Sequence, residues 1–254
     1  MSGAITKFLV GIGDGTSFAV RVVVEGVRPP YELREVARQI FELGVRSVPL
    51  IAAAGFAVGL VLSMHTRASL ARFGAEALIP AGLAIALVRE TGPLTAGLLL
   101  SGRIGAGIGA ELGAMKVTEQ IDALEAVAVD SFRYLVVTRV VACVIALPLL
   151  TTVMNFMGML GGFTAETAIT GVGFQAYFQQ AFFPIQFSDI IPSTLKTTVF
   201  GFIIATVACY LGINTSRGTE GVGQASTRSV VTASMLLIAA NVLLVRVIFF
   251  FFPE

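Results

Sequence analysis

Residues 78–115 read LIPAGLAIALVRETGPLTAGLLLSGRIGAGIGAELGAM, a run almost entirely apolar. At ~1.5 Å per residue, a helix of this length is nearly twice what one crossing of a ~30 Å hydrocarbon core requires. The run must therefore bend or break. Arg89, Glu90, Gly92 and Pro93 sit together inside it. Proline removes a helical hydrogen bond and clashes with the preceding turn, so a broken helix is expected near 89–93. Leu78 to Val88 then reads as a half-helix feeding a full span from about Thr91.

The rest of the chain agrees with a lipid environment. Hydrophobic residues make up 56% and charged residues 13% of 254 positions, with a mean hydropathy of +0.87, whereas soluble domains are about one quarter charged. The fold class is an all-α integral membrane protein. A net charge of +1 provides no basic field, which excludes a nucleic-acid partner. Cys143 and Cys209 lie far apart in apolar runs and read as small buried hydrophobes. Lys7 precedes a short apolar run that Asp14 and Arg21 interrupt, so no cleavable leader is expected.

Residues 4–25 mix Ile5, Phe8, Leu9, Phe18 and Val22 with Lys7, Asp14 and Arg21, which suits a helix lying in the membrane interface. From Tyr31, Leu33, Val36, Ala37, Ile40 and Phe41 recur at helical spacing opposite charged residues, a second amphipathic helix. Together they form an N-terminal interfacial region, 1–46, ahead of a transmembrane domain, 47–254. Besides the broken segment, spans are expected at about Ser47–Met64, Tyr134–Leu160, Ile190–Ile213 and Val230–Phe252, five in all. Residues 116–133 are polar and suit a short helix, with Val117, Ile121, Leu124 and Ala128 on one face. The loop 161–189 holds Glu166 and Asp189 but no Lys or Arg, while Arg34, Arg38, Arg46, Lys116, Arg133, Arg217 and Arg228 flank the opposite ends. The positive-inside bias then puts the N-terminus and the 116–133 and 214–228 loops in the cytoplasm and the C-terminus on the far side. Arg67 and Arg72 fall on the wrong side of this topology.

Gly97, Ser101, Gly105, Gly109 and Gly113 recur every four residues and make one helical stripe without bulky side chains. Another helix can approach it, either within the chain or across a subunit interface. A nucleotide-binding reading of Gly105, Gly107 and Ala110 lacks a preceding strand and a helix N-terminus. Arg89, Glu90 and Arg103 are ionisable groups inside the apolar block, with Glu111 near its end; each costs ~2.5 to 3.5 kcal/mol in a bilayer unless it faces a cavity or a partner. The planar donor fork of Arg89 suits a lipid phosphate, and the neighbouring Glu90 could order it or repel an anion. A structural ion pair is the alternative. Asn155 and Asn241 suit interhelical hydrogen bonds. His65 is the one histidine, so it makes neither a two-histidine metal site nor, with Ser101, a supported protease pair. No metal site is expected. Lys7, Lys116 and Lys196 follow Thr6, Met115 and Leu195, so no phosphate loop with a lysine after a glycine exists, and this chain is not an ATPase.

The text RETGPLTAGLLLSGRIGAGIGAELGAMKVTEQIDALEAVAVD at 89–130 resembles the signature region of the MlaE (YrbE) family of ABC-transporter permeases. The likeness continues through TRVVACVIALPLLT at 138–151 and STRSVV at 226–231, and covers roughly the last five sixths of the chain. The resemblance implies an interfacial helix, five transmembrane helices and a cytoplasmic coupling helix, assembled as a homodimer in a cell inner membrane. It implies phospholipid transport between membranes with a separate ATPase pair, which would carry ATP and Mg while this chain binds no cofactor, and a periplasmic ring of MCE-domain proteins. Carried onto this sequence, the coupling helix would be Met115 to Asp130, with Lys116, Glu119, Gln120, Asp122 and Glu125 on it. Arg89 and Glu90 match charged positions at the lipid cavity, and Leu62 and Leu70 fall near its apolar lining. Two other readings remain open from the residues: an ion-coupled secondary transporter using Glu90 or Glu111, and a scaffold that anchors an ATPase or an MCE ring without transporting.

Overall fold

A computed structural model gives the backbone of residues 2–29, 31–216 and 218–251, with side chains described except at 2–9, 12, 249 and 251. Arg217 and Phe252, expected beside and at the end of the last span, lie outside the described residues. Among the described residues eight helices account for the fold: α1 Ser2–Val27, α2 Leu33–Phe73, α3 Glu76–Val117, α4 Gln120–Ala126, α5 Phe132–Thr170, α6 Phe174–Phe182, α7 Phe187–Ile213 and α8 Gly218–Phe251. Five of these, α2, α3, α5, α7 and α8, are long and apolar enough to cross a membrane. Helices suit lipid because each closes its own backbone hydrogen bonds where water is absent.

The packing is built on α2 and α5, which touch backbone to backbone. A Cβ on Gly59 would stand 1.8 Å from the Gly158 carbonyl, and one on Gly161 would stand 2.1 Å from the Phe56 carbonyl. Gly55, four residues before Gly59, meets Met154 in the same way. The main core joins Ile51, Leu100, Ile104, Ile108, Leu147, Leu150, Phe200 and Ile204 from α2, α3, α5 and α7. A second, smaller core gathers Leu83, Leu87, Val88, Met159, Tyr177 and Phe178 where α6 lies over α3 and α5. Near the other end, Phe18 of α1 stacks edge-on against Phe132 and Tyr210, and Glu25 accepts from Arg133 Nε at 2.7 Å.

Several boundaries differ from the sequence reading, for physical reasons. The expected interruption near 89–93 is a π-turn, Leu87–Thr91, followed by a second at Ser101–Gly105, and the chain stays helical through both. A wider turn re-routes the backbone bonds around Pro93 without opening the helix. The segment 31–42 and the first span are one helix, α2, joined by a π-turn at Ile40–Gly44 and a tight turn at Val45–Ser47. α2 also continues past Met64, the expected end of the first span, to Phe73. The third span extends to Thr170: Gly161 and Gly162 read as loop formers but serve close packing, and Glu166 is buried. The fifth begins at Gly218, with Glu220, Gln224 and Thr227 on an added polar turn.

Candidate functional site

The deepest consequence of Pro93 lies at the carbonyl of Arg89. In an α-helix that oxygen would accept from the N–H four residues on, and proline has none. Lys196 of α7 takes the vacancy: its Nζ donates to the Arg89 carbonyl at 3.0 Å and to Glu90 Oε2 at 2.6 Å. Asn241 of α8 donates Nδ2–H to the other oxygen of Glu90. Arg89 reaches α7 separately, donating from Nε to Asp189 Oδ1 at 2.7 Å. Asp189 is itself fixed at the start of α7, where its carboxylate accepts the Gln186 backbone N–H at 2.9 Å. The two neighbours therefore diverge around the π-turn, Arg89 toward Asp189 and Glu90 toward Lys196 and Asn241.

Burial separates the roles of these groups. The Lys196 side chain is 1% exposed and Asp189 6%, while Arg89 and Glu90 are 41% and 42% exposed. Two cations and two carboxylates form an electroneutral cluster whose α3 half opens to the surface and whose α7 half is enclosed. Lys196 stands seventeen residues, ~26 Å along α7, from Ile213. Ile213 lies beside α4, so the cluster occupies the part of the bundle remote from α4. On the other side of Arg89's turn, Asn155 of α5 rests on Gly92, where a Cβ would stand 1.7 Å from its Oδ1. That oxygen is buried without a partner. Lys196, Asp189 and Asn241 escaped assignment to the site from sequence. The available signal was a lysine inside the apolar run 190–213, which needs an intramembrane partner.

Leu62 packs half-buried against the second core, which includes Val88 next to Arg89; Leu70 is half-buried near the end of α2, its carbonyl accepting the Ala75 N–H at 3.2 Å. Below them Arg67 bridges Glu166 and Glu76, and Ser63 donates to Glu166 at 2.9 Å. The two arginines misplaced by the charge bias are thus not equivalent, because Arg67 is neutralised inside the fold. Tyr177 on α6 is enclosed nearby, its hydroxyl without a partner; burial pushes its phenol above the ordinary value, with Glu166 adding to the shift. Glu111 accepts from Arg139 at 2.7 Å, and Arg139 is buried, a pairing not foreseen. Arg103 projects from an exposed position on α3.

The polar segment after α3 is compact. Met115 packs on the main core, Lys116 pairs with Asp122 at 3.0 Å, and Glu119 turns the chain in the left-handed region, φ 59°. α4 follows, from Gln120 to Ala126, with Ile121 buried and Glu119, Gln120, Asp122 and Glu125 exposed. Glu125 also accepts from Ser131, and Asp130 caps Arg133 N at 3.1 Å. The helix is shorter than the Met115 to Asp130 expected, because Glu119 and Ala128, φ 60°, end it on both sides; Ala128 is exposed rather than on its apolar face.

The small-residue stripe of α3 is filled by the same chain. Gly97 meets Phe200 and Leu237, Ser101 shares a 2.7 Å hydrogen bond with Ser234, and Gly105 meets Ile204. Gly109 meets Ser229 and Ala225, and Gly113 meets Thr215. α7 and α8 thus cover the stripe, which is not free to act as the subunit face that the sequence left open.

Comparison with known proteins bears on this arrangement. The model of the Permease MlaE family matches residues 36–247. A "Probable ABC transporter permease protein" of Rickettsia felis is 36% identical over 243 residues, 96% of this chain and 94% of that one. The "Intermembrane phospholipid transport system permease protein MlaE" of Haemophilus influenzae is 32% identical over 215 residues, 84% and 82% of the two chains. The chloroplastic protein TRIGALACTOSYLDIACYLGLYCEROL 1 of Arabidopsis thaliana is 30% identical over 226 residues, 89% of this chain and 65% of that one. With five membrane-length helices and a family match across most of its length, the chain belongs to the MlaE family of ABC-transporter permeases.

Proposed function

We propose that this chain moves phospholipid between a cell inner membrane and a periplasmic channel of MCE-domain proteins, as a homodimer driven by a separate ATPase that binds ATP and Mg. The observation that carries the reading is the electroneutral cluster of Arg89, Asp189, Glu90 and Lys196, half open and placed away from α4. The partly exposed Arg89 guanidinium can donate to a head-group phosphate through its planar fork, while the neighbouring carboxylates suit the cation of a zwitterionic head group. The acyl chains would lie against leucine and phenylalanine, and α4 would rest on the ATPase, with the N-terminus cytoplasmic and the C-terminus periplasmic. A proton-carrying transporter is less well supported, because Glu90 is held by Lys196 and Asn241, and Glu111 by Arg139.

Arg89→Ala is expected to lower co-purified phospholipid several-fold while the chain keeps its elution profile, since the exposed guanidinium contacts the ligand and Asp189 retains the Gln186 N–H. Arg89→Lys should restore binding in part, as an ammonium brings charge without the planar fork. Unchanged lipid content in Arg89→Ala would sink the head-group role; a wild-type chain free of phospholipid would favour the scaffold.

The coupling role has its own test. Glu119 precedes α4 and Asp122 lies in its first turn, both exposed, so Glu119→Lys with Asp122→Lys should leave the fold intact and weaken capture of the ATPase subunit at least tenfold. Capture at the wild-type level would show that α4 is not the docking element.

A further inference from the structure

α5 and α7 touch backbone to backbone where Gly201 faces the Cys143 carbonyl; a Cβ there would stand 2.6 Å from that oxygen. Farther from α4, beginning at Pro148 of α5, a cleft of about 210 Å³ lies between the two helices. Its walls include Thr152, Asn155 and Phe156 of α5 and Ile190, Thr194 and Thr197 of α7. The threonine hydroxyls donate to their own helices, Thr152 to Pro148 O at 3.0 Å, Thr194 to Ile190 O at 2.8 Å and Thr197 to Thr194 O at 2.8 Å. The walls therefore offer no free hydroxyl proton and suit an apolar occupant. Asn155 is the exception, with a buried oxygen lacking a partner. Val88 and Ile190 line the cleft and are the chain neighbours of Arg89 and Asp189. The cleft therefore borders the charged cluster.

We propose that the α5–α7 cleft seats one acyl chain of a phospholipid, giving lipid a sideways route between the bilayer and the head-group site at Arg89. The proposal rests on the phospholipid reading of that site. Size selects the occupant. At about 210 Å³ the cleft admits a segment of a flexible methylene chain, the rest of which can run out along the bilayer, but not a rigid drug-sized ligand, and a partner helix ~10–12 Å across cannot enter it. Continuity argues the same way, because exposed Phe156 and Ile190 merge with the apolar belt formed by Leu149, Ile191 and Leu195 on the same two helices.

The test uses the full chain in nanodiscs containing a phosphatidylethanolamine with a diazirine midway along one acyl chain. After irradiation, mass spectrometry should find labelling at Thr152, Asn155 and Thr194 at least fivefold above Leu149 and Leu195, although those two are 61% and 65% exposed. Equal labelling at all five positions means ordinary boundary lipid and overturns the proposal. Thr194→Trp, which fills the cleft, should cut labelling at Thr152 and Asn155 at least fivefold; undiminished labelling overturns it. If that variant misfolds, Thr152→Trp fills the cleft from the other wall. The two readings fail separately. Phospholipid lost on Arg89→Ala with cleft labelling no higher than the belt overturns the acyl seat alone. Cleft labelling above the belt, in a chain whose phospholipid is indifferent to Arg89→Ala, supports the seat and removes the head-group role.

Discussion

Gly59→Leu is expected to eliminate the monodisperse folded chain. The Cβ alone would fall 1.8 Å from the Gly158 carbonyl carbon's oxygen and 2.5 Å from the carbon itself, so the obstacle is backbone, which cannot rotate aside. Overpacking a core of mobile side chains costs ~1–3 kcal/mol; here α2 and α5 must separate along the contact that also contains Gly55, Gly158 and Gly161. Gly82→Leu is the matched control, because nothing lies within 4 Å of a Cβ at that position. Size-exclusion elution of the two variants in detergent decides the point. Similar profiles would mean that the α2–α5 contact is not what holds the bundle. Gly109→Leu should fall between them, since its first obstacle is the movable Ser229 hydroxyl at 2.5 Å.

Glu90→Ala should be the most damaging substitution within the charged cluster. It removes the anion from an ammonium that is 1% exposed, leaving Lys196 with the Arg89 carbonyl alone. Breaking a buried pair in this way costs roughly 3–5 kcal/mol, which for a chain of this size corresponds to a fall in Tm of about 10 °C. Lys196→Met should cost less, because Glu90 is partly exposed and keeps Asn241. The double variant Glu90→Ala with Lys196→Met should recover much of the loss, as no buried charge then lacks a counterion. Thermal unfolding of the two singles and the double provides the cycle. A double variant less stable than either single would show that the pair is not a coupled unit.

Lipid imposes apolar length and self-contained backbone bonding, so the five spans and the turn around Pro93 could be read directly from residues 78–115 and their counterparts. The intramembrane charge at Arg89 and Glu90 was equally visible, because its cost does not depend on what surrounds it. Their partners were not, since Asp189 and Lys196 are about a hundred residues away and only packing of α3 on α7 brings them near. In the sequence, Lys196 follows Leu195 and lacks the glycine of a phosphate loop, which says nothing of its partners. Helix ends were misread where one residue type serves two purposes: Gly161 and Gly162 signal a turn in isolation but close approach when Phe56 and Leu83 face them. The left-handed conformation of Glu119, which shortens α4, has no local signature in a carboxylate side chain.

The bond from Lys196 to Glu90 spans 106 positions of sequence, and this separation is also an interval during synthesis. At ~5–20 residues per second, a ribosome needs roughly 5–20 s to reach the lysine after making the glutamate. Throughout that time α3 carries Arg89, Glu90 and the carbonyl stranded by Pro93 without their α7 partners. A nascent α3 would therefore wait beside the insertion machinery or at the aqueous boundary and settle fully only when α7 arrives, so the second crossing of this protein is completed only with the fourth, in an order set by a proline.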